Sequence, residues 1–122
     1  MKKKASRPKN TGLNSRLDAH TRKMLSAAGR TIRTLNPKAQ VLLYGSAAKG
    51  RWRPGSDFDL LVLTDRPLTT RQEDTVIDAL YEIELHHGAV ISTVFYPKSV
   101  WNASPLRAMP FHRNVVRDGI PL

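Results

Sequence analysis

Two short groups of residues stand out for the chemistry they could do. Gly45 and Ser46 close the apolar run Leu42-Leu43-Tyr44. Ten intervening residues later, Asp57-Phe58-Asp59 opens a second apolar run, Leu60-Leu61-Val62. A glycine at a strand end lets the backbone approach a ligand closely and presents an amide with no side chain in the way. A serine that starts a helical turn adds a hydroxyl and further N–H donors, which attract anions. Asp57 and Asp59 are two apart on a strand, so both carboxylates emerge on one face. Like charges that close repel unless a cation lies between them. Magnesium suits such a pair, since it binds one or two carboxylates together with water and substrate phosphates.

Each group alone has a plainer reading. Gly-Ser is a common turn, and Ser56-Asp57 could be another turn with Asp59 a solvated charge at a strand end. The segment between them argues for the pairing. It carries Lys49, Arg51 and Arg53 and ends at Ser56. These residues lie close to any triphosphate held between a phosphate turn and a metal pair, where cations would neutralise charge on departing pyrophosphate. The alternative for the three cations is a solvated basic loop.

The elements that must position this site can be read from spacing. Leu17, Thr21, Met24, Leu25, Ala28, Ile32 and Leu35 recur with helical period, which predicts an amphipathic helix over 16–35, stopped by Asn36-Pro37. Ala39 to Tyr44 and Phe58 to Thr64 read as buried strands, the second apolar enough to be covered on both faces. Thr70-Arg71-Gln72-Glu73 has the form of a capping box. It opens a helix to about His87 whose inward stripe is Val76, Ile77, Leu80 and Ile83, with Gly88 in the left-handed position beyond it. Ala89 to Tyr96 is a third strand, bounded by Pro97. Pro110 starts a last short helix with Val115 and Val116 inward, closed at Asp118-Gly119. This order specifies a small α/β (α+β) domain: a mixed sheet with helices packed mainly on one face.

Composition sets the outer bounds. At 122 residues the chain is one domain over 16–122, preceded by a basic tail at 1–15. It has no cysteine, which excludes disulfides, thiolate catalysis and cysteine-ligated zinc. No apolar run nears the ~20 residues of a membrane span, and a cytoplasmic protein is expected. The formal charge is +10, of which residues 1–16 supply +6 and the remainder +4. The tail is expected to be disordered. It is suited to weak contact with nucleic acid or an acidic partner, or simply to keeping the chain in solution.

Gly45-Ser46-x10-Asp57-x-Asp59, set between two apolar strands, resembles the pattern of the minimal nucleotidyltransferases, small members of the DNA polymerase β-like superfamily. The resemblance implies that Gly45 and Ser46 hold nucleotide phosphates and that Asp57 and Asp59 bind catalytic Mg2+. It implies transfer of a nucleoside monophosphate from a nucleoside triphosphate, ATP being the expected one, to a hydroxyl of a macromolecular acceptor. Members this small often lack a substrate domain, so the acceptor site is expected on a partner or across an oligomer interface. A HEPN-type toxin is one such partner in the family, neutralised in some cases by adenylylation of a tyrosine.

One departure from the family matters. A third carboxylate is common on the strand after the intervening helix, yet there is no Asp or Glu between Glu84 and Asp118. Ser92 or Thr93 falls in that region, and a hydroxyl is a poor base and a weak metal ligand. Glu84 is the nearest substitute, on the inward side of its helix. A catalytically weak module of the same fold, acting by docking, is therefore the second hypothesis, and an RNA-binding protein working through its tail is the third. His86 and His87 read as ordinary residues at a helix C-terminus. Arg107-x4-His112 resembles a HEPN ribonuclease motif but is interrupted by Pro110. Trp52 either stacks on a base or covers the sheet edge, and Trp101 and Phe111 read as core or interface residues.

Overall fold

The computed structural model describes residues 17–122. The tail expected over 1–15 lies outside the described residues. Helix α1 (Ala19–Leu35) begins three residues later than its periodicity suggests. The cause is Asp18, whose carboxylate accepts from the Thr21 N–H at 2.8 Å and so acts as the N-cap. Met24, Leu25, Ala28 and Ile32 form its buried face.

The chain then forms β1 (Gln40–Tyr44) and, after the expected insertion, β2 (Phe58–Thr64). These two are antiparallel, from Gln40 opposite Leu63 to Tyr44 opposite Asp59. Helix α2 (Thr70–His87) carries the chain across the sheet to β3 (Ile91–Pro97), which is parallel to β2. A four-residue helix α3 (Lys98–Trp101), a 3-10 turn at Leu106–Ala108 and helix α4 (Pro110–Asp118) follow. Strand β4 (Ile120–Pro121) returns antiparallel to β1, giving the sheet order β3-β2-β1-β4. The sheet is therefore mixed.

Both faces of β2 are buried, as its unbroken apolar run requires. Phe58, Leu60 and Val62 meet α1 and α2 through Met24, Leu25, Ala28, Ile32, Val76 and Leu80. Leu61 and Leu63 meet Trp101, Leu106 and Val115 on the opposite face. The two long helices make the larger layer, and the short C-terminal elements make a smaller one.

Three local expectations change. The capping box is Thr69 with Gln72: the Gln72 N–H donates to Thr69 Oγ1 at 3.1 Å, and the Thr69 N–H to Gln72 Oε1 at 2.9 Å. Thr69-Thr70 and Gln72-Glu73 offer the same pattern twice, and the helix takes the earlier frame. Ile77 is 45% exposed, because α2 presses only a narrow line, Val76 and Leu80, into the core. Val116 is 69% exposed while Val115 is buried. The inward face of this short helix is narrow, and Val116, about 100° round the helix from Val115, falls outside it. Gly88 does take the left-handed conformation, with φ 64°.

Candidate active site

The expected phosphate turn and carboxylate pair meet at one end of the sheet. Tyr44 ends β1, and Gly45 follows at φ 77°, a conformation that disfavours side chains. A single helical turn comes next: the Lys49 N–H donates to the Gly45 carbonyl at 3.3 Å, and the Arg51 N–H to the Ser46 carbonyl at 2.8 Å. Ala47 and Ala48 are buried in the main core and pin this turn to the sheet. Trp52 stacks on Phe58 at 4.9 Å, and its Nε1–H donates to the Ser56 carbonyl at 2.9 Å. Trp52 thus covers the start of β2, an inner strand rather than a sheet edge, and braces the loop.

Strand register completes the cluster. Asp59 lies between Tyr44 of β1 and Ser92 of β3. Alternation along β2 puts Asp57 and Asp59 on the face of Leu61 and Leu63. That face also carries Tyr44, whose ring packs edge-on against Phe111 at 5.2 Å. Gly45 runs so close to Asp59 that a Cβ there would collide with Asp59 Oδ2. The glycine is needed both for its dihedral angle and for this approach.

Electrostatically the pair is uncompensated. Neither Asp57 nor Asp59 has a basic partner among the described residues. Burial, and then the neighbouring charge of Asp57, push the Asp59 carboxyl above the usual carboxylate range. The Tyr44 phenol is raised as well, by burial first and then by Asp59 and Tyr96. Two oxygen-donor side chains on one face, short of positive charge, suit a divalent cation that shares its shell with water and phosphate. Asp57 and Asp59 are the residues that could hold it.

The third position is now defined. Ser92, not Thr93, is opposite Asp59, and Ser92 Oγ donates to Asp57 Oδ2 at 3.1 Å. Thr93 belongs to the other face of β3. Glu84 is no substitute. Its Oε2 accepts from the Ile91 N–H at 2.7 Å, so it tethers the first residue of β3. Strand β3 starts at Ile91, not at Ala89, because its partner β2 starts at Phe58, the residue opposite Ile91. Among the described residues there is no cluster of three or more His, Asp or Glu side chains fit for a metal.

The loop cations separate. Lys49 and Arg51 line an open cleft of about 500 Å³ together with Arg117 and Asp118. Arg53 is exposed and is not part of that lining, and the backbone of Ser56 is used in bracing Trp52. Arg117 and Asp118, 2.9 Å apart, come from the end of α4. Sequence reasoning missed them because nothing in their spacing ties them to a loop some sixty residues earlier. The histidines lie elsewhere: His87 Nδ1 is 3.1 Å from His20 Nε2, where α1 meets α2. Arg107 and His112 fall on different elements, and His112 stacks on Trp101 at 4.3 Å.

Comparison with known proteins shows the family. The family profile described as nucleotidyltransferase domain matches residues 26–120. Two proteins of Methanocaldococcus jannaschii are similar, both provisionally named protein adenylyltransferases. One, MJ0604, is 31% identical over 80 residues, covering 66% of this chain and 73% of that protein. The other, MJ0141, is 30% identical over 61 residues, covering 50% of this chain and 62% of that protein. The profile spans every element from within α1 to the start of β4, including the glycine turn and both aspartates. The chain belongs to the nucleotidyltransferase domain family.

Proposed function

We propose that the domain is a magnesium-dependent nucleotidyltransferase that uses ATP to modify a hydroxyl on a protein. The observation that carries this reading is the uncompensated Asp57/Asp59 pair set against the Gly45-Ser46 turn. The names of the two relatives support adenosine as the nucleoside and protein as the acceptor. A HEPN-type protein is the first acceptor to try, on the family resemblance alone.

In the reaction, an acceptor oxygen attacks the α-phosphorus of ATP. The bond from that phosphorus to the bridging oxygen breaks, pyrophosphate leaves in line, and the hydroxyl proton passes to solvent. Bound magnesium would supply charge neutralisation at the phosphates and polarise the α-phosphoryl group. The amides of Ser46 and Ala47, at the start of the turn, and the Ser46 hydroxyl orient the phosphates. Lys49 and Arg51, facing the cleft, stabilise the leaving pyrophosphate. Ser92 holds Asp57 and offers no base, so proton removal rests on the acceptor and solvent.

Ser92 in the usual carboxylate position also favours a second reading, a catalytically weak module that binds nucleotide and docks to a partner. Labelled ATP, magnesium and native cell extract separate the two, with Asp57→Asn/Asp59→Asn as the control. Transfer of label to protein that is lost in the control supports the enzyme. Nucleotide binding without transfer supports the module.

A further inference from the structure

Helix α4 passes into β4 with only Gly119 between them, and a close backbone approach makes this possible. The Gly119 N–H donates to the Val115 carbonyl at 2.7 Å, and a Cβ on Gly119 would collide with that same oxygen. Strand β4 then sets Ile120 opposite Leu43 and Pro121 opposite Leu42. Continuing this antiparallel register brings Gly119 beside Tyr44 and Asp118 beside Gly45. The last residues of α4 are thus delivered to the flank of the phosphate turn, on the side of β1 away from Asp59.

Arg117 is oriented there by its neighbours. Its Nε–H lies 3.2 Å from both Asp118 carboxylate oxygens, and Nη2 donates to Asp118 Oδ2 at 2.9 Å and to Asn114 Oδ1 at 3.2 Å. Nη1 has no acceptor among the described residues. The Arg117 side chain is 64% exposed, and so exposed an ion pair adds little to stability. Its larger consequence is to fix the plane of the guanidinium and leave the Nη1 edge for an anion. Charge around the cleft agrees: Lys49, Arg51 and Arg117 line it with Asp118, three cations against one carboxylate. Neither Lys49 nor Arg51 pairs with a carboxylate among the described residues. A nucleotide whose α-phosphorus lies at Asp57 and Asp59 runs its phosphate chain over the Gly45-Ser46 turn. The Arg117 end of the cleft is two strand spacings from β2, roughly 10 Å. A triphosphate and an arginine side chain together span that distance, whereas a monophosphate ends at the aspartates.

Resting on the function proposed above, we propose that Arg117 binds the terminal phosphate of the nucleoside triphosphate and makes the site selective for triphosphate over monophosphate. Lys49 and Arg51 neutralise the middle of the phosphate chain, and Arg117 recognises its end.

The test is Arg117→Gln, read by calorimetric titration with ATP and, separately, with AMP, both in magnesium. The side chain is exposed, so the melting temperature should stay near that of the wild type. Affinity for ATP should fall about ten-fold, the loss of one charge-assisted contact to phosphate. Inorganic tripolyphosphate should weaken in parallel, and AMP should bind as it does to the wild type. Unchanged ATP affinity, or an equal loss for ATP and AMP, overturns the role of Arg117 while leaving the transferase reading intact. Absence of ATP binding by the wild type overturns both. Should Arg117→Gln fail to fold, side-chain NMR of the wild type decides. The Arg117 Nε–H resonance should shift on addition of tripolyphosphate and stay in place with AMP, and a resonance that tripolyphosphate leaves unmoved overturns the proposal.

Discussion

Gly45 offers the sharpest prediction, because a second glycine serves as its control. Gly45 and Gly88 have φ of 77° and 64°. An alanine at either position pays the left-handed cost of about 1–2 kcal/mol. Part of that, about 0.4–1 kcal/mol, is returned by the smaller entropy of the unfolded chain. The net loss is near 1 kcal/mol, or a fall of about 4–8 °C in melting temperature for a domain of this size. The two positions differ in their surroundings. A Cβ at Gly88 meets nothing within 4 Å, whereas one at Gly45 collides with Asp59 Oδ2. Gly45→Ala therefore also displaces the Asp59 oxygen proposed to bind metal, and a misplacement of about 1 Å can cost about 10²-fold in rate. Thermal melts by circular dichroism and transfer of labelled AMP should be measured on both variants. Similar melting shifts are expected, with transfer lost only in Gly45→Ala. Wild-type transfer by Gly45→Ala, or equal loss in both, would refute the reasoning.

Three further outcomes are expected. Ser92→Asp places a carboxylate opposite Asp59 and should raise turnover at saturating magnesium by up to about 10²-fold, while lowering the melting temperature in metal chelator; an unchanged rate would mean that base supply is not limiting. Glu84→Ala leaves the Ile91 N–H without its partner and should cost about 1–3 kcal/mol, read in urea titrations, with magnesium affinity unaltered. A matching loss of magnesium affinity would return Glu84 to the metal site. The His87 imidazole lies below the ordinary 6.5, through burial and then through the charges of His20 and His86. The unfolded chain therefore takes up the proton more readily, so stability is full above about pH 6.5 and declines as pH falls through the lower folded value. Melting temperatures across that window should drop in the wild type and flatten in His87→Gln, and a drop of equal size in the variant would remove His87 as the cause.

Much of the fold was legible because local signals agreed. The period of Met24, Leu25, Ala28 and Ile32 marked α1, and the unbroken run of β2 announced burial on both faces. The signals failed where two local patterns competed or where none existed. Thr69-Thr70 allowed two capping frames, and a stripe drawn through Ile77 assumed a wider contact than α2 makes. Strand β4 is two residues long and contains a proline, so its pairing depends on β1 being there already. Helix α3 is a single turn with no period to detect.

At the site the division is similar. The types and spacing of Gly45, Ser46, Asp57 and Asp59 determined the candidate chemistry without coordinates, because a phosphate turn and a carboxylate pair at adjacent strand ends are defined by short-range geometry. The placement of Ser92 beside Asp57, the retirement of Glu84 to a backbone tether and the arrival of Arg117 at the cleft were decided only by the tertiary structure. Each depends on strand register or on contact between distant segments, and a shift of one residue in β3 would have put Thr93 at the aspartate pair in place of Ser92. Sequence sets which side chains a strand can offer, and pairing with its neighbour sets which of them face the site.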